Sequence, residues 1–272
     1  MPTETVRTGL VEANGTQLYH EIRGDGPPVV FIAGMGGDAG FFSLLGAEDI
    51  DVGYTLVTYD RRGNSRSPRP SGWATTSIEE QADDAAALIE TLGLERPVVF
   101  GNSLGGTITV NMLERHAHLL RGAIIHEPGL PSVHHDPGFA QRAADVVAEG
   151  MAAGGPPKAL EFAITRLVTG GAALWDAFDA QMRERVLGNA EVFFGIEYPA
   201  LQAFVPDTDK LVAVTVPVHA AYGEETGSAP SAEWLSETTG GPLHVFPGAH
   251  APRPDQLPRF IEAVVGVLDR IP

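Results

Sequence analysis

The sequence predicts an α/β fold: a mostly parallel sheet with helices on both faces, and an all-helical insert late in the chain. Two observations carry this. Short continuous apolar runs, the pattern of strands buried on both faces, alternate with helix-patterned stretches. From about Pro128 to Asp207 the strand patterns stop and only helical ones occur, before the alternation returns.

Taken in order, "RTGLVEANGTQLYHEIRG" gives two short strands joined by Asn14-Gly15, a strong tight-hairpin signal. "PPVVFIAGMGG" is a buried strand ending in glycines, and "YTLVTYD" (54–60) is another. "SIEEQADDAAALIETLG" opens with Ser77 and Glu80 at capping-box spacing, keeps helical periodicity and stops at Gly93. "RPVVFGNS" is a strand followed by a helix from Leu104 to about His116, and "LRGAIIHEPG" a strand ending near His126. The insert carries helical stretches such as "FAQRAADVVAEGM", "KALEFAITRLV" and "LWDAFDAQMRERVL". It is too long for a loop and is expected to form a lid over the sheet. Beyond it come the strand "TVPVHAAYG", a helix from about Ser231, the strand "PLHVFPGAH" and a last helix. The expected division is a core domain of residues 1–127 and 208–272 with a helical lid of residues 128–207.

Composition narrows the function. The 272 residues carry a net charge of −17 and only two lysines, Lys158 and Lys210. Nucleic acid or an anionic membrane would demand a basic face, so neither is expected as a partner. There is no cysteine, which excludes disulfides, thiolate catalysis and Cys-based metal sites. The N-terminal stretch lacks the pattern of a signal peptide and no segment is apolar enough to span a bilayer, so a cytoplasmic protein is expected.

The chemistry centres on "FGNSLGG". Gly101-Asn102-Ser103-Leu104-Gly105 is a G-x-S-x-G pentapeptide between a strand and a helix, the setting in which a serine hydroxyl is exposed on a strained turn. Glycines flank it because backbone approaches backbone there. Ser103 is the expected nucleophile, and the Leu104 N–H, next along the chain, is an oxyanion donor.

The order of "AGMGGD", "YDRRGNSRS", "GNSLGG" and "PGAH" resembles the α/β-hydrolase family over nearly the whole chain. The resemblance implies eight strands, a lid inserted after the sixth, and nucleophile, acid and histidine in that order. It places a second oxyanion donor at Met35, with Gly34 beside the substrate, although Ala33 departs from the family's usual His-Gly-x. His250 lies between the last strand and the last helix, where a loop can bring an imidazole over the nucleophile. His116 and His118 read as exposed helix-end residues, His134 and His135 as lid-loop residues without the further ligands a metal site needs, and His20, His219 and His244 as packed.

The acid is less direct, because Thr226 stands where many family members carry aspartate. Glu224 and Glu225 lie beside that position. The other candidate, Glu127, follows the strand after the nucleophile helix, at the sheet edge on which all parallel strands end. A serine, then "HE.P", then a late histidine resembles the zearalenone lactonase type of α/β-hydrolase. That likeness favours Glu127 and implies a substrate-facing Trp175.

Phe193, Phe194, Phe178 and Tyr198 are pocket candidates beside Trp175, with lid core as the plainer reading. Asp60, Arg61 and Arg62 read as a structural ion pair and turn. The expected activity is cofactor-free hydrolysis of a carboxylic ester or lactone of an apolar substrate, a macrocyclic lactone included, through an acyl-enzyme. Carbon–carbon bond hydrolysis and a non-catalytic receptor on the same scaffold are the alternatives. The oligomeric state, homodimer included, stays open.

Overall fold

The computed structural model describes residues 6–40, 53–227 and 229–272. Its eight strands form one sheet in the order β1-β2-β4-β3-β5-β6-β7-β8. Strands β1 (Arg7–Ala13) and β2 (Thr16–Arg23) form the hairpin, with Asn14 and Gly15 turning at φ 47° and 73°. β2 also runs antiparallel to β4 (Thr55–Tyr59). All other pairings are parallel, through β3 (Pro28–Ile32), β5 (Val98–Asn102), β6 (Gly122–His126), β7 (Val218–Gly223) and β8 (Leu243–Phe246).

The period-two alternation of these strands splits the core. Val30 and Ile32 of β3 face the layer that holds α1 (Ile78–Thr91) and α2 (Leu104–His116). Val29 and Phe31 face the opposite layer, closed by the last helix through Phe260, Ile261, Val264, Val267 and Leu268. Helix α1 realises half of the expected capping box. Ser77 Oγ accepts from the Glu80 N–H at 3.1 Å, but the Glu80 carboxylate turns outward to the Thr76 hydroxyl at 2.7 Å.

Between β6 and β7 the insert is entirely helical. Its first helix, α3 (Pro137–Leu167), breaks at Gly154 and Gly155, ahead of Pro156 and Pro157. The stretch read as one helix around residues 174–187 is two, α4 (Gly171–Ala177) and α5 (Ala180–Gly188). Phe178 is extended between them, and Asp179 caps α5 by accepting from the Met182 N–H at 2.7 Å. A short turn (Ala190–Val192), a π-helical turn (Phe193–Glu197) and a helix (Tyr198–Ala203) follow. Among the described residues no helix is long and apolar enough to cross a membrane.

Candidate active site

Every parallel strand ends on the same edge of the sheet, and that edge gathers the residues singled out above. Ser103 follows β5 with φ 56° and ψ −119°, outside the regions comfortable for an L-residue. Three backbone bonds pin this turn: the Ser103 N–H to His126 O at 3.1 Å, and Ser103 O receiving the N–H groups of Thr107 and Gly129 at 3.1 and 3.2 Å. The flanking glycines are needed sterically. A Cβ on Gly105 would collide with the Ile32 carbonyl, and one on Gly101 would strike the Thr109 hydroxyl. Gly34 faces the elbow from the loop after β3, and a Cβ there would lie 3.0 Å from Ser103 Cβ.

Glu127 follows β6, also at positive φ, 45°. One carboxylate oxygen, Oε2, is 2.7 Å from His250 Nδ1. The other, Oε1, accepts from the Gly223 N–H and from the Thr226 hydroxyl, each at 2.8 Å. Burial alone would raise this carboxyl. The hydrogen bond and charge of His250, aided by His126 and the Gly223 N–H, outweigh that and hold it down at about 2. It is therefore ionised across the ordinary pH range.

The competing carboxylate points elsewhere. Glu225 pairs with Arg253 Nη1 at 2.7 Å on the exposed surface and accepts from Gln256 Nε2 at 2.6 Å. The backbone N–H groups of Glu224 and Glu225 are committed to Phe246 O and Gly248 O.

Ser103 and His250 line one cleft, together with Gly34, Met35, Gly36, Gly37 and Asn102. Among the described residues no hydrogen bond ties the Ser103 hydroxyl to the imidazole; such contacts commonly tighten only when substrate binds. The Met35 and Leu104 N–H groups have no acceptor among the described residues. Leu104 opens α2, where the first N–H groups of a helix are free by construction.

Ala251 follows His250 in the lining, and the rest of the cleft wall comes from the insert: Ile164, Val168, Leu174, Phe178 and Val186. Trp175 and Phe194 are not in this lining. Leu174 and Phe178 stand four residues apart on one face, which carries Trp175 about 100° around the helix axis. There it packs on Phe178, with the Arg183 guanidinium 5.6 Å from its ring. Phe194 packs against Phe193.

Several partners escaped the sequence reading. His126 is fully buried, stacked on Phe246 and held by Asn102 Nδ2 at 2.9 Å from its Nδ1. An amide nitrogen only donates, so the ring proton sits on Nε2, which has no hydrogen-bond partner among the described residues and lies 3.9 Å from Glu127 Oε1. Burial lowers the His126 ring to about 4, keeping it neutral. Asp60, Arg61 and Arg62 do not pair with one another. Asp60 binds Arg66 Nε at 2.7 Å, Arg62 Nε binds Asp84 at 2.9 Å, and Arg61 reaches Glu197 of the insert. A glutamate inside the apolar run "VFFGIEYPAL" is the one sequence signal that could have flagged Glu197. Among the described residues no group of three or more His, Asp or Glu side chains is placed to hold a metal ion.

Residues 27–186 match the family model described as alpha/beta hydrolase fold, and the chain belongs to that family. It is 29% identical over 210 residues to the uncharacterized hydrolase YraK of Bacillus subtilis (strain 168), spanning 77% of this chain and 74% of that one. It is 23% identical over 189 residues to the zearalenone hydrolase of Bionectria ochroleuca, 69% of this chain and 68% of that one. The fold superposes on a thermophilic esterase from Thermogutta terrifontis (malate bound) with a TM-score of 0.77 at 21% identity, covering 97% of this chain and 99% of the other.

Proposed function

We propose that the protein is a serine hydrolase of carboxylic esters or lactones with an apolar acyl group, and that Ser103, Glu127 and His250 form its catalytic triad. One observation carries the reading: the ionised Glu127 carboxylate sits 2.7 Å from Nδ1 of His250, and His250 lines the same cleft as the strained Ser103 elbow. A carboxylate there holds the proton on Nδ1 and leaves Nε2 free to act as base.

Ser103 Oγ attacks the substrate carbonyl while His250 Nε2 takes its proton. The carbonyl oxygen becomes an oxyanion held by the Met35 and Leu104 N–H groups. Collapse breaks the C–O bond, and His250 returns the proton to the leaving alkoxide. Water then attacks the acyl-enzyme with His250 again as base, and Ser103 is regenerated as the acid product leaves. In a lactone the freed alcohol stays tethered to the acyl group throughout, and the second step releases a single hydroxy acid.

The apolar wall of Ile164, Val168, Leu174, Phe178 and Val186 supports an uncharged acyl group. Similarity to a zearalenone hydrolase supports including lactones, macrocyclic ones among them. The reading requires no cofactor, nucleic-acid or membrane partner and suits a cytoplasmic enzyme.

The test joins a covalent probe to a substrate screen. A fluorophosphonate should add its mass to the peptide containing Ser103. A screen of p-nitrophenyl esters of rising chain length, with small and macrocyclic lactones, should then find turnover. Absence of both labelling and turnover would leave a non-catalytic receptor as the better account.

A further inference from the structure

We propose that the buried Arg61–Glu197 pair positions the oxyanion donor at Met35, so that seating of the helical insert controls the serine site. The inference rests on the reading of Ser103 as nucleophile.

Arg61 follows β4 and is 2% exposed. Its Nη1 donates to the carbonyls of Ala33 at 2.5 Å and Gly34 at 2.8 Å. Its remaining edge, Nε and Nη2, grips the Glu197 carboxylate at 3.1 and 2.9 Å, and Asn64 Nδ2 donates to the same carboxylate at 2.8 Å. One planar guanidinium thus bridges the insert and the glycine loop after β3. Only the forked geometry of arginine allows this, since an ammonium cannot serve both sides at fixed angles.

The consequence follows from the planarity of the peptide bond. In a trans peptide the C=O and the next N–H point in opposite directions. Holding Gly34 O toward Arg61 therefore turns the Met35 N–H away from Arg61, and Met35 borders the cleft beside Ser103. The loop itself is rich in glycine (Gly34, Gly36, Gly37), so its peptide planes rotate easily unless something holds them.

Glu197 closes the π-helical turn Phe193–Glu197, a rare local widening that re-aims side chains and is frequent at functional sites. Two further ties run from the insert to the same loop. Asn189 Nδ2 donates to Gly36 O at 3.2 Å, and Arg185 Nε binds the Asp38 carboxylate. A buried ion pair is weak evidence for stability in itself. Here its geometry ends on the carbonyls that decide where an oxyanion donor points.

The experiment compares wild type with Glu197→Gln, Arg61→Lys and the double variant Arg61→Met/Glu197→Met, which removes both charges together at similar volume. Each preparation is titrated with fluorophosphonate, so that rates refer to competent Ser103 sites. The readouts are kcat and KM on a p-nitrophenyl ester, and inhibition by a trifluoromethyl ketone, whose serine adduct carries an oxyanion. Loss of the positioned donor should lower kcat about 100-fold and weaken the ketone by a similar factor, with KM within about threefold. Arg61→Lys should recover less than a tenth of the wild-type rate. A kcat per titrated site that stays at the wild-type value, with inhibition unchanged, would overturn the proposal and reduce the pair to a structural bolt. Should the double variant fail to fold, Glu197→Gln decides by the same readouts. A wild type that neither reacts with the fluorophosphonate nor turns over any ester or lactone of the screen would instead overturn the hydrolase reading itself.

Discussion

The Thr226 hydroxyl donates to Glu127 Oε1 at 2.8 Å, joining residues 99 positions apart. Thr226 occupies the loop position where many α/β-hydrolases place an aspartate, and in this chain that position supports a carboxylate from a neighbouring strand end. Glu127→Gln is expected to cut kcat by about 10³ to 10⁴ with the fold intact, because an amide cannot stabilise the imidazolium. Thr226→Val, losing one neutral donor, should cost about two- to tenfold. Glu224→Gln and Glu225→Gln should stay near wild type. A near-normal Glu127→Gln beside a dead Glu225→Gln, read from steady-state rates, would move the acid to the late loop.

The rescue experiment uses the same contact. In a Glu127→Gln background, Thr226→Asp restores a carboxylate close to where Glu127 Oε1 lay, and partial recovery of kcat is expected. In the wild-type background the same substitution sets two carboxylates against each other and should lower activity instead. Equal behaviour in both backgrounds would show that position 226 does not communicate with the imidazole.

Ser103→Ala and His250→Ala should each abolish ester turnover, and the double variant should be no worse than either single, because the two act as one unit. Additive losses would mean that His250 works elsewhere than on the Ser103 proton.

Acyl selectivity should follow the residues that line the cleft. Phe178→Leu is expected to shift the kcat/KM ratio of hexanoate to acetate esters by about tenfold, since a change of this size in an apolar pocket has that order of effect. Trp175→Phe should leave the ratio unchanged. The reverse result would restore Trp175 as the substrate-facing aromatic.

Acid should destabilise the fold through buried imidazoles. His126 and His219 are each held by burial at about 4, against 6.5 for the free group. A histidine with a lowered folded pKa contributes stability that is complete above about 6.5 and is lost as pH falls toward about 4, where the unfolded chain takes up protons the folded one refuses. Glu127, lowered to about 2 from 4.5, adds a second loss only below about 4.5. Urea titrations from pH 7 to 4 should show stability falling with pH, and His126→Gln should flatten that slope by at most about 1.4 kcal/mol per pH unit. An unchanged slope would show that His126 is not the buried neutral ring the fold implies.

The sequence alone determined the strands, most helices and the serine elbow, because these are written in patterns that close within a few residues. Buried β-branched runs, the Ser77 cap, the Asn14-Gly15 turn and the glycines around Ser103 all need only local geometry. It narrowed the candidates for a histidine-paired carboxylate to three and could go no further from the residues, since Glu127 meets His250 across 123 positions of chain. That contact depends on the parallel register of β5, β6 and β7 and on how the loops leave them. Two more facts belonged to tertiary structure. The docking of α4 over the sheet edge decided that Leu174 and Phe178, not Trp175, line the cleft. The π-helical turn, invisible to a 3.6-residue periodicity, delivered Glu197 to Arg61. Local pattern specifies which backbone a segment adopts; which side chains then meet is set by packing between segments far apart in the chain.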